Sequence, residues 1–420
     1  MKNSEIIKFY KKNQTQRLDI VRSFANLNDL EIQKLKQFNS LNFTCANRMI
    51  ENVISIMPLP LGIATNFKIN NIDYLIPMAI EEPSVIAAAS SAAKIARKSG
   101  GFIASSTESL MIGQIQLTNV KDLSFAINQI EKNKKEILNQ VNQCDSILIS
   151  LNGGAKAIKY RIINTKKQTM LIIHLIVDVK DAMGANIVNT MVEKISPFLE
   201  KLTNSVSILK IISNLPVYRI AKSKAVWKKE LISEKIIQRI LDSYQLALHD
   251  PFRCATHNKG IMNGIDALAI ATGNDFRAIE AGAHAFACLT NKYQPLTKYY
   301  LDENQNLVGE IEMPITAATI GGITQTHETA KICLKILNVK TSKELAQIMA
   351  SLGLAQNFAA LRALVTDGIQ KNHMKLHSKN IAIAAGASEE NVDAISNMMC
   401  KQNNISISNA KELIENYANK

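Results

Sequence analysis

Apolar positions recur at helical spacing in some stretches of the chain and alternate with polar ones in others, and the two periods divide it into blocks. Residues 29–56 carry helical spacing through Leu30, Ile32, Leu35 and Phe38, then through Met49, Ile50 and Ile54. In LPLGIATNFKINNIDYLIPMAI two short apolar runs flank Asn70 and Asn71, which predicts a hairpin. Glu81-Glu82-Pro83-Ser84 then opens an alanine-rich helix that stops at Gly100-Gly101. Proline in the first turn, acids at the start and Lys94, Arg97 and Lys98 at the end suit the termini and dipole of that helix.

From residue 110 the period changes. An alternating run, Met111 to Leu117, precedes a charged helix over 122–148, strands over 158–163 and 170–179, a helix over 182–202 and a strand over 206–212. The order is β-α-β-β-α-β, the split βαβ or ferredoxin-like unit. After Asn214 long helical patterns with Gly-containing turns return. The expected class is α+β: a ferredoxin-like (βαββαβ) domain over 109–215 inserted into a large, mostly helical domain (1–108 and 216–375), with a small C-terminal helical unit over 376–420.

Composition narrows the class. At 420 residues, 47% hydrophobic and 20% charged, the chain reads as folded and globular, with room for two or three domains. The start, MKNSEIIKFYKKNQ, has no apolar core of signal-peptide type, and the apolar run Val85 to Ala96 is broken by serines and Lys94. A cytoplasmic protein with no membrane partner is expected. Six cysteines without a CxxC pair read as reduced thiols, and seven histidines without HExxH spacing give no reason to expect a metal. The net charge of +13 admits nucleic acid, but the lysines are spread in ones and twos and aromatics make up 5%, so stacking platforms are scarce. A phosphorylated small cofactor fits the charge equally well.

Candidate chemistry gathers in DPFRCATHNKGIMNGIDALAIATGND, residues 250–275. Arg253, His257, Asn258, Lys259, Asn263, Asp266 and Asp275 fall among Met262, Ile265, Leu268, Ile270 and Ala271. A packed core would not choose those polar groups and a solvated loop would lack those apolar ones, so the stretch is read as a site. In DVKDAMGANIVNTM, Asp181, Gly184, Asn186 and Asn189 lie at a strand-to-helix turn, where free N–H groups can meet a phosphate. No GxGxxG follows a strand anywhere, so a dinucleotide bound here would sit on a non-Rossmann fold. His373 and His377 would share a helix face, but no nearby carboxylate completes a metal site, which leaves His373 as a candidate acid.

The segments ENVISIMPLPLGIATNF, EEPSV, DAMGAN, ISNL, THNKGIMNGID, ATGND, GLAQN and GIQKNHM, in this order, resemble 3-hydroxy-3-methylglutaryl-coenzyme A reductase of the bacterial second class. The likeness runs from about residue 15 to the C-terminus. It implies reduction of a thioester to mevalonate and free coenzyme A with two nicotinamide equivalents, or the reverse. It also implies that Glu82, Lys259, Asp275 and His373 are catalytic, that Ser84, Arg253, Asn263 and Asn214 hold the substrate, and that Gln356 lies along the coenzyme A channel. The inserted domain would bind the cofactor through Asp181, Met183, Gly184 and Asn186, with Asp145 facing the adenosine ribose and favouring NAD(H) over NADP(H). A homodimer with its active sites at the subunit interface and a C-terminal flap over 376–420 complete the implied picture. Two other readings compete: a Schiff-base or pyridoxal-phosphate enzyme built on Lys259, which lacks a phosphate cup at the usual distance, and a basic nucleic-acid-binding protein, which leaves the 250–275 cluster unexplained.

Overall fold

Two separate sheets, each with its own buried core, organise the chain in the computed structural model, which describes residues 2–38, 41–366 and 378–418. The first block holds helices α1 (Gln14–Ala25), α2 (Asp29–Lys36) and α3 (Phe43–Met49), strands β1 (Leu61–Ile69) and β2 (Ile72–Ala79), helix α4 (Val85–Arg97) and strand β3 (Phe102–Ser106). Asn70 and Asn71, with φ of 50° and 65°, make the expected hairpin turn, since both central residues must be left-handed there. Helical spacing past Met49 is not realised. The chain from Ile50 to Leu61 runs without helix, and Ile54 and Met57 are almost fully exposed.

The second block runs β4 (Leu110–Thr118), α5 (Leu123–Lys132), α6 (Lys134–Asn142), α7 (Ser146–Ser150), β5 (Gly154–Asn164), β6 (Thr169–Asp178), α8 (Ala185–Thr203) and β7 (Val206–Ser213). Its sheet order is β5-β6-β4-β7, antiparallel throughout. The β-α-β-β-α-β order agrees with the sequence reading, but the single helix over 122–148 is three. Asn133 bends its side chain back to the Gln129 carbonyl (2.8 Å), and Asp145 starts α7 by accepting the Leu148 N–H, so polar side chains compete with the helix at both breaks. Gly113 lets α8 lie close on the sheet, because a Cβ there would stand 2.5 Å from Val192 Cγ1.

Beyond Asn214 come β8 (Ile220–Trp227), α9 (Lys229–Ile232), α10 (Glu234–His249), α11 (Pro251–Ala271), α12 (Phe276–Ala287), β9 (Thr297–Leu301), β10 (Leu307–Pro314), α13 (Ile323–Thr326), α14 (Glu328–Leu337) and α15 (Ser342–Val365). Three of these elements are strands, which corrects the helical reading of this region. They complete a six-stranded sheet of order β2-β1-β3-β8-β10-β9. The missed alternation lies in β8, where Ala221, Ser223 and Ala225 face inward while Lys222 and Lys224 face out. Small inward residues leave room for α15 but give little hydrophobic contrast. The chain closes with helices Val392–Lys401 and Ile407–Ala418, which share a small core of their own through Ile395, Met399 and Ala410.

Helix α15 is the spine of the large core. It has 24 residues and is apolar enough to cross a membrane by length and composition, yet it is mostly buried by α11, α4 and the six-stranded sheet. Gly264 of α11 and Gly353 of α15 allow the two helices to touch, since a Cβ at Gly353 would stand 2.8 Å from Ile265 Cδ1. Phe358 of α15 stacks on Trp227 of β8 at 3.9 Å between ring centres, both rings fully buried. Truncating such a ring removes its contacts and leaves a cavity. Phe358→Ala should therefore lower unfolding free energy by about 3–5 kcal/mol in urea titrations, and a loss below about 1 kcal/mol would place the core elsewhere.

Candidate functional site

Helix α11 starts where the sequence provides a stop and a start together. Asp250 caps it by accepting the N–H groups of Phe252 and Arg253, and Pro251 occupies its first turn. The helical period then sorts the polar residues of the 250–275 stretch into two sets. His257 and Asn258 turn inward and are almost fully buried. His257 Nε2 lies 2.6 Å from Thr297 Oγ1, and that hydroxyl donates to Asn357 Oδ1 (3.0 Å), so the imidazole is the donor of the pair. Burial pushes its pKa down to about 3, which keeps it neutral. Asn258 donates to the Gln294 carbonyl and accepts the Leu296 N–H, both at 3.0 Å. These two residues brace the core.

Lys259, Asn263 and Asp266 form a second stripe at i, i+4 and i+7. Lys259 Nζ is 3.2 Å from Glu82 Oε2. Helix α4 begins only at Val85, so neither Glu82 nor Pro83 lies in its first turn as the sequence reading had them. Between them and the helix stands Ser84, left-handed at φ 79° and ψ −26°, an uncommon conformation for a residue with a Cβ. Ser84 Oγ is buried without a hydrogen-bond partner. A strained residue with an unsatisfied hydroxyl beside a lysine-carboxylate pair is the pattern of a site rather than of a scaffold. The pair itself is open to solvent, with side chains 62% and 30% exposed, so its attraction is screened and its contribution to stability small.

The other expected residues are placed as follows. Arg253 is half-buried on α11, and burial lowers its pKa. Asp275 caps α12 by accepting the Ala278 N–H (3.1 Å) and lies 3.4 Å from Arg277. From Lys259 to the end of α11 at Ala271 the axis rises about 18 Å, and the carboxylate that reaches Lys259 belongs to Glu82. Asn214 is exposed at the end of β7, and its carbonyl approaches α12 at Gly282, where a Cβ would stand 2.7 Å from it. Gln356 is buried on α15 against Gly264, with Oε1 lacking a partner. His373 lies outside the described residues.

A carboxylate pair went unread in the sequence. Asp266 is hydrogen-bonded to Glu280 of α12, and burial, joined by that neighbour, raises its pKa to about 8. Glu280 stays ionised because His284 Nε2 lies 2.8 Å away, and His284 Nδ1 in turn meets the Tyr293 hydroxyl at 2.7 Å. The i, i+4 spacing of Glu280 and His284 in RAIEAGAH was the available signal.

At the end of β6 the chain turns through Asp178, Lys180, Asp181, Met183 and Gly184 into α8. Gly184 has φ 101°, and a Cβ there would stand 2.6 Å from Val179 Cγ1. Both facts require glycine. No side chain caps α8, and Asn186 in its first turn is exposed, so the opening N–H groups of that helix are available to an anion. The Asp181 carboxylate accepts the Ser342 N–H at 2.7 Å. Asp145 uses one oxygen to accept the Leu148 N–H (2.8 Å). Nearby, Lys156 Nζ donates to the carbonyls of Asn152 and Gly153, and Lys159 Nζ donates to the Tyr218 hydroxyl.

Residues 13–378 match the family model of hydroxymethylglutaryl-coenzyme A reductase. The chain is 55% identical over 414 residues to the 3-hydroxy-3-methylglutaryl-coenzyme A reductase of Archaeoglobus fulgidus, covering 98% of this chain and 94% of that one. It is 38% identical over 354 residues to the probable 3-hydroxy-3-methylglutaryl-coenzyme A reductase of Borreliella burgdorferi, covering 82% and 80%. Among solved structures it is similar to the class II enzyme of Streptococcus pneumoniae bound to NADPH in open conformations, with 38% identity, a TM-score of 0.82, and coverage of 97% of this chain and 100% of that one.

The Asp266–Glu280 pair has a thermodynamic consequence. Asp266 holds its proton in the fold up to about pH 8, whereas in the unfolded chain it releases it near pH 4. Between those values the folded state binds more protons, so this group makes stability fall as pH rises through the window. Denaturant titrations should show the decline from pH 5 to 8 in the native chain and a flatter profile in Asp266→Asn. An identical slope in the two proteins would contradict the assignment of the buried proton.

Proposed function

The chain belongs to the hydroxymethylglutaryl-coenzyme A reductase family, whose reaction interconverts 3-hydroxy-3-methylglutaryl-coenzyme A and mevalonate plus coenzyme A by two hydride transfers with a nicotinamide cofactor, and we propose that Lys259 and Glu82 form the centre at which it does so. The contact between these two side chains carries the reading. The comparisons give no support to a Schiff-base, pyridoxal-phosphate or nucleic-acid-binding function.

Hydride reaching a thioester carbonyl leaves negative charge on its oxygen, and the Lys259 ammonium offsets that charge where a bound substrate excludes water. Glu82 orients the ammonium as a carboxylate and, once protonated, would pass that proton to the oxygen as the aldehyde is reduced. Expulsion of the coenzyme A thiolate needs an acid, the part given to His373. The Arg253 guanidinium suits the free carboxylate of the hydroxymethylglutaryl group through its planar fork. Asn263 follows Lys259 on the same stripe, and Ser84, with its unpartnered hydroxyl, has a hydrogen bond to offer. Asn214 and Gln356 complete the substrate set, and Asp275, at the start of α12, is the remaining catalytic carboxylate.

The turn 181–186 fits a dinucleotide. Its glycine allows close backbone packing, and the uncapped start of α8 offers N–H groups to a diphosphate. Asp181, Met183, Gly184 and Asn186 would hold that group, which supplies the hydride when bound. We assign Asp145 to the adenosine ribose and NAD(H) as the preferred form. Asp145 has a second oxygen beyond the one that caps α7, while Lys156 and Lys159, the cations able to welcome a 2′-phosphate, are engaged elsewhere. The protein would work in the cytoplasm as a homodimer, and the exposed apolar run Ile50, Ile54, Met57 and Leu59 is the surface best suited to a second copy, with the flap 376–420 closing over the bound cofactor.

Lys259→Ala should reduce turnover by about two to four orders of magnitude, as expected for loss of one oxyanion stabiliser, with an unchanged unfolding transition. Retention of more than about a tenth of native turnover would remove Lys259 from the chemistry. Specificity constants for NADH and NADPH measured side by side should favour NADH in the native chain and lose that preference in Asp145→Ala. A native preference for NADPH would refute the ribose role.

A further inference from the structure

We propose that Arg219, a buried residue, is a positioning residue that turns the peptide planes of the cofactor turn so that their N–H groups face the dinucleotide. The proposal rests on the reading of residues 181–186 as the cofactor site. Arg219 is 5% exposed and sits between the two sheets, just ahead of β8. One arm of its guanidinium donates to the carbonyls of Ala182 (3.2 Å) and Met183 (3.3 Å), and the other donates to the carbonyl of Ala317. Its own carbonyl accepts the Ile315 N–H at 3.2 Å, so the residue is fastened to the large sheet while it grips the turn of the small one.

The consequence follows from the planarity of the peptide group. In a trans peptide the carbonyl of one residue and the N–H of the next point to opposite sides. With the carbonyls of Ala182 and Met183 drawn inward to Arg219, the N–H groups of Met183 and Gly184 point outward, beside the open first turn of α8. Released from Arg219, those planes could rotate and present carbonyl oxygens, which repel a diphosphate. A row of outward N–H groups is the arrangement that binds anions in backbone nests. Burial lowers the Arg219 pKa to about 10, opposed by the nearby carboxylates of Asp178 and Asp181, so the cation persists at neutral pH and adds favourable potential behind the turn.

Further bonds lock the same turn to the large sheet's side of the molecule. The Asp181 carbonyl accepts the Thr319 N–H (3.0 Å), its carboxylate accepts the Ser342 N–H, and the Ser342 hydroxyl donates to the Lys180 carbonyl (2.9 Å). Lysine could keep the charge of Arg219 but not the fork that spans Ala182, Met183 and Ala317 together.

The test is direct binding, without turnover. NADH affinity would be read from nicotinamide fluorescence and hydroxymethylglutaryl-coenzyme A affinity from calorimetry, on native protein, Arg219→Lys, Ser342→Ala and Gly184→Ala, each checked for its unfolding transition. Arg219→Lys should weaken NADH binding about tenfold or more, the equivalent of one lost charge-assisted hydrogen bond, and leave the thioester's affinity within about twofold. Ser342→Ala, a milder cut to the same turn, should move NADH affinity in the same direction and serves as the deciding variant if Arg219→Lys does not fold. NADH affinity unchanged in the folded variant, or both ligands weakened alike, would overturn the positioning role. Gly184→Ala separates the two levels: if it abolishes NADH binding while Arg219→Lys does not affect it, only the role of Arg219 fails. If NADH binding survives Gly184→Ala as well, the turn is not the cofactor site.

Discussion

The contact between the Lys259 ammonium and the Glu82 carboxylate is the interaction on which the proposed functional architecture turns. It joins two parts of the chain 177 residues apart and contributes little to stability, because both side chains remain in touch with water. Its worth lies in placement. Lys259 is carried outward by the same helical period that buries His257 and Asn258, and Glu82 is carried toward it by a left-handed turn at Ser84 that delays the start of α4. The strain at Ser84 is sustained by packing around it, above all by the alanine-lined contact of α4 with the six-stranded sheet and α15.

The large core makes that placement rigid. Glycines at 264 and 353 bring α11 against α15, and the Trp227–Phe358 stack ties α15 to the sheet. The small sheet follows different rules, with its main core on the face covered by α5, α6 and α8, and it meets the large one through Arg219 and the turn that leads into α8. A buried guanidinium satisfied by main-chain carbonyls is an uncommon choice for a structural joint. It suits a joint whose far side is proposed to meet a polyanion.

Much of the small sheet was legible because the alternation in β4, the long apolar run of β6 and the long amphipathic α8 leave little ambiguity of element type. The large sheet was not. Strand β8 carries alanine and serine inward and lysine outward, too weak a contrast to register as a strand, and β10 pairs with it, and β9 with β10, only once tertiary contacts bring them together. The stretch 250–275 was read as a site, yet two of its seven named polar residues, His257 and Asn258, serve the core, because one helix can bury His257 and expose Lys259 two residues apart. The motif residues gave Glu82 and Lys259 together, whereas the Asp266–Glu280–His284 chain depends on α12 folding back along α11, a geometry no local pattern announces. Arg219 was invisible for the same reason: its partners lie 36 to 98 positions away.

One site must complete both reductions before product leaves, and the ratio of reduced nicotinamide consumed to coenzyme A released measures this most directly. Oxidation of the cofactor would be followed by its absorbance and the freed thiol by a thiol reagent, in one cuvette with hydroxymethylglutaryl-coenzyme A as substrate. A ratio of two cofactors per thiol, with cofactor reduction appearing when mevalonate and coenzyme A are supplied instead, is the predicted result. A ratio of one, or thiol release without oxidation of the cofactor, would contradict it.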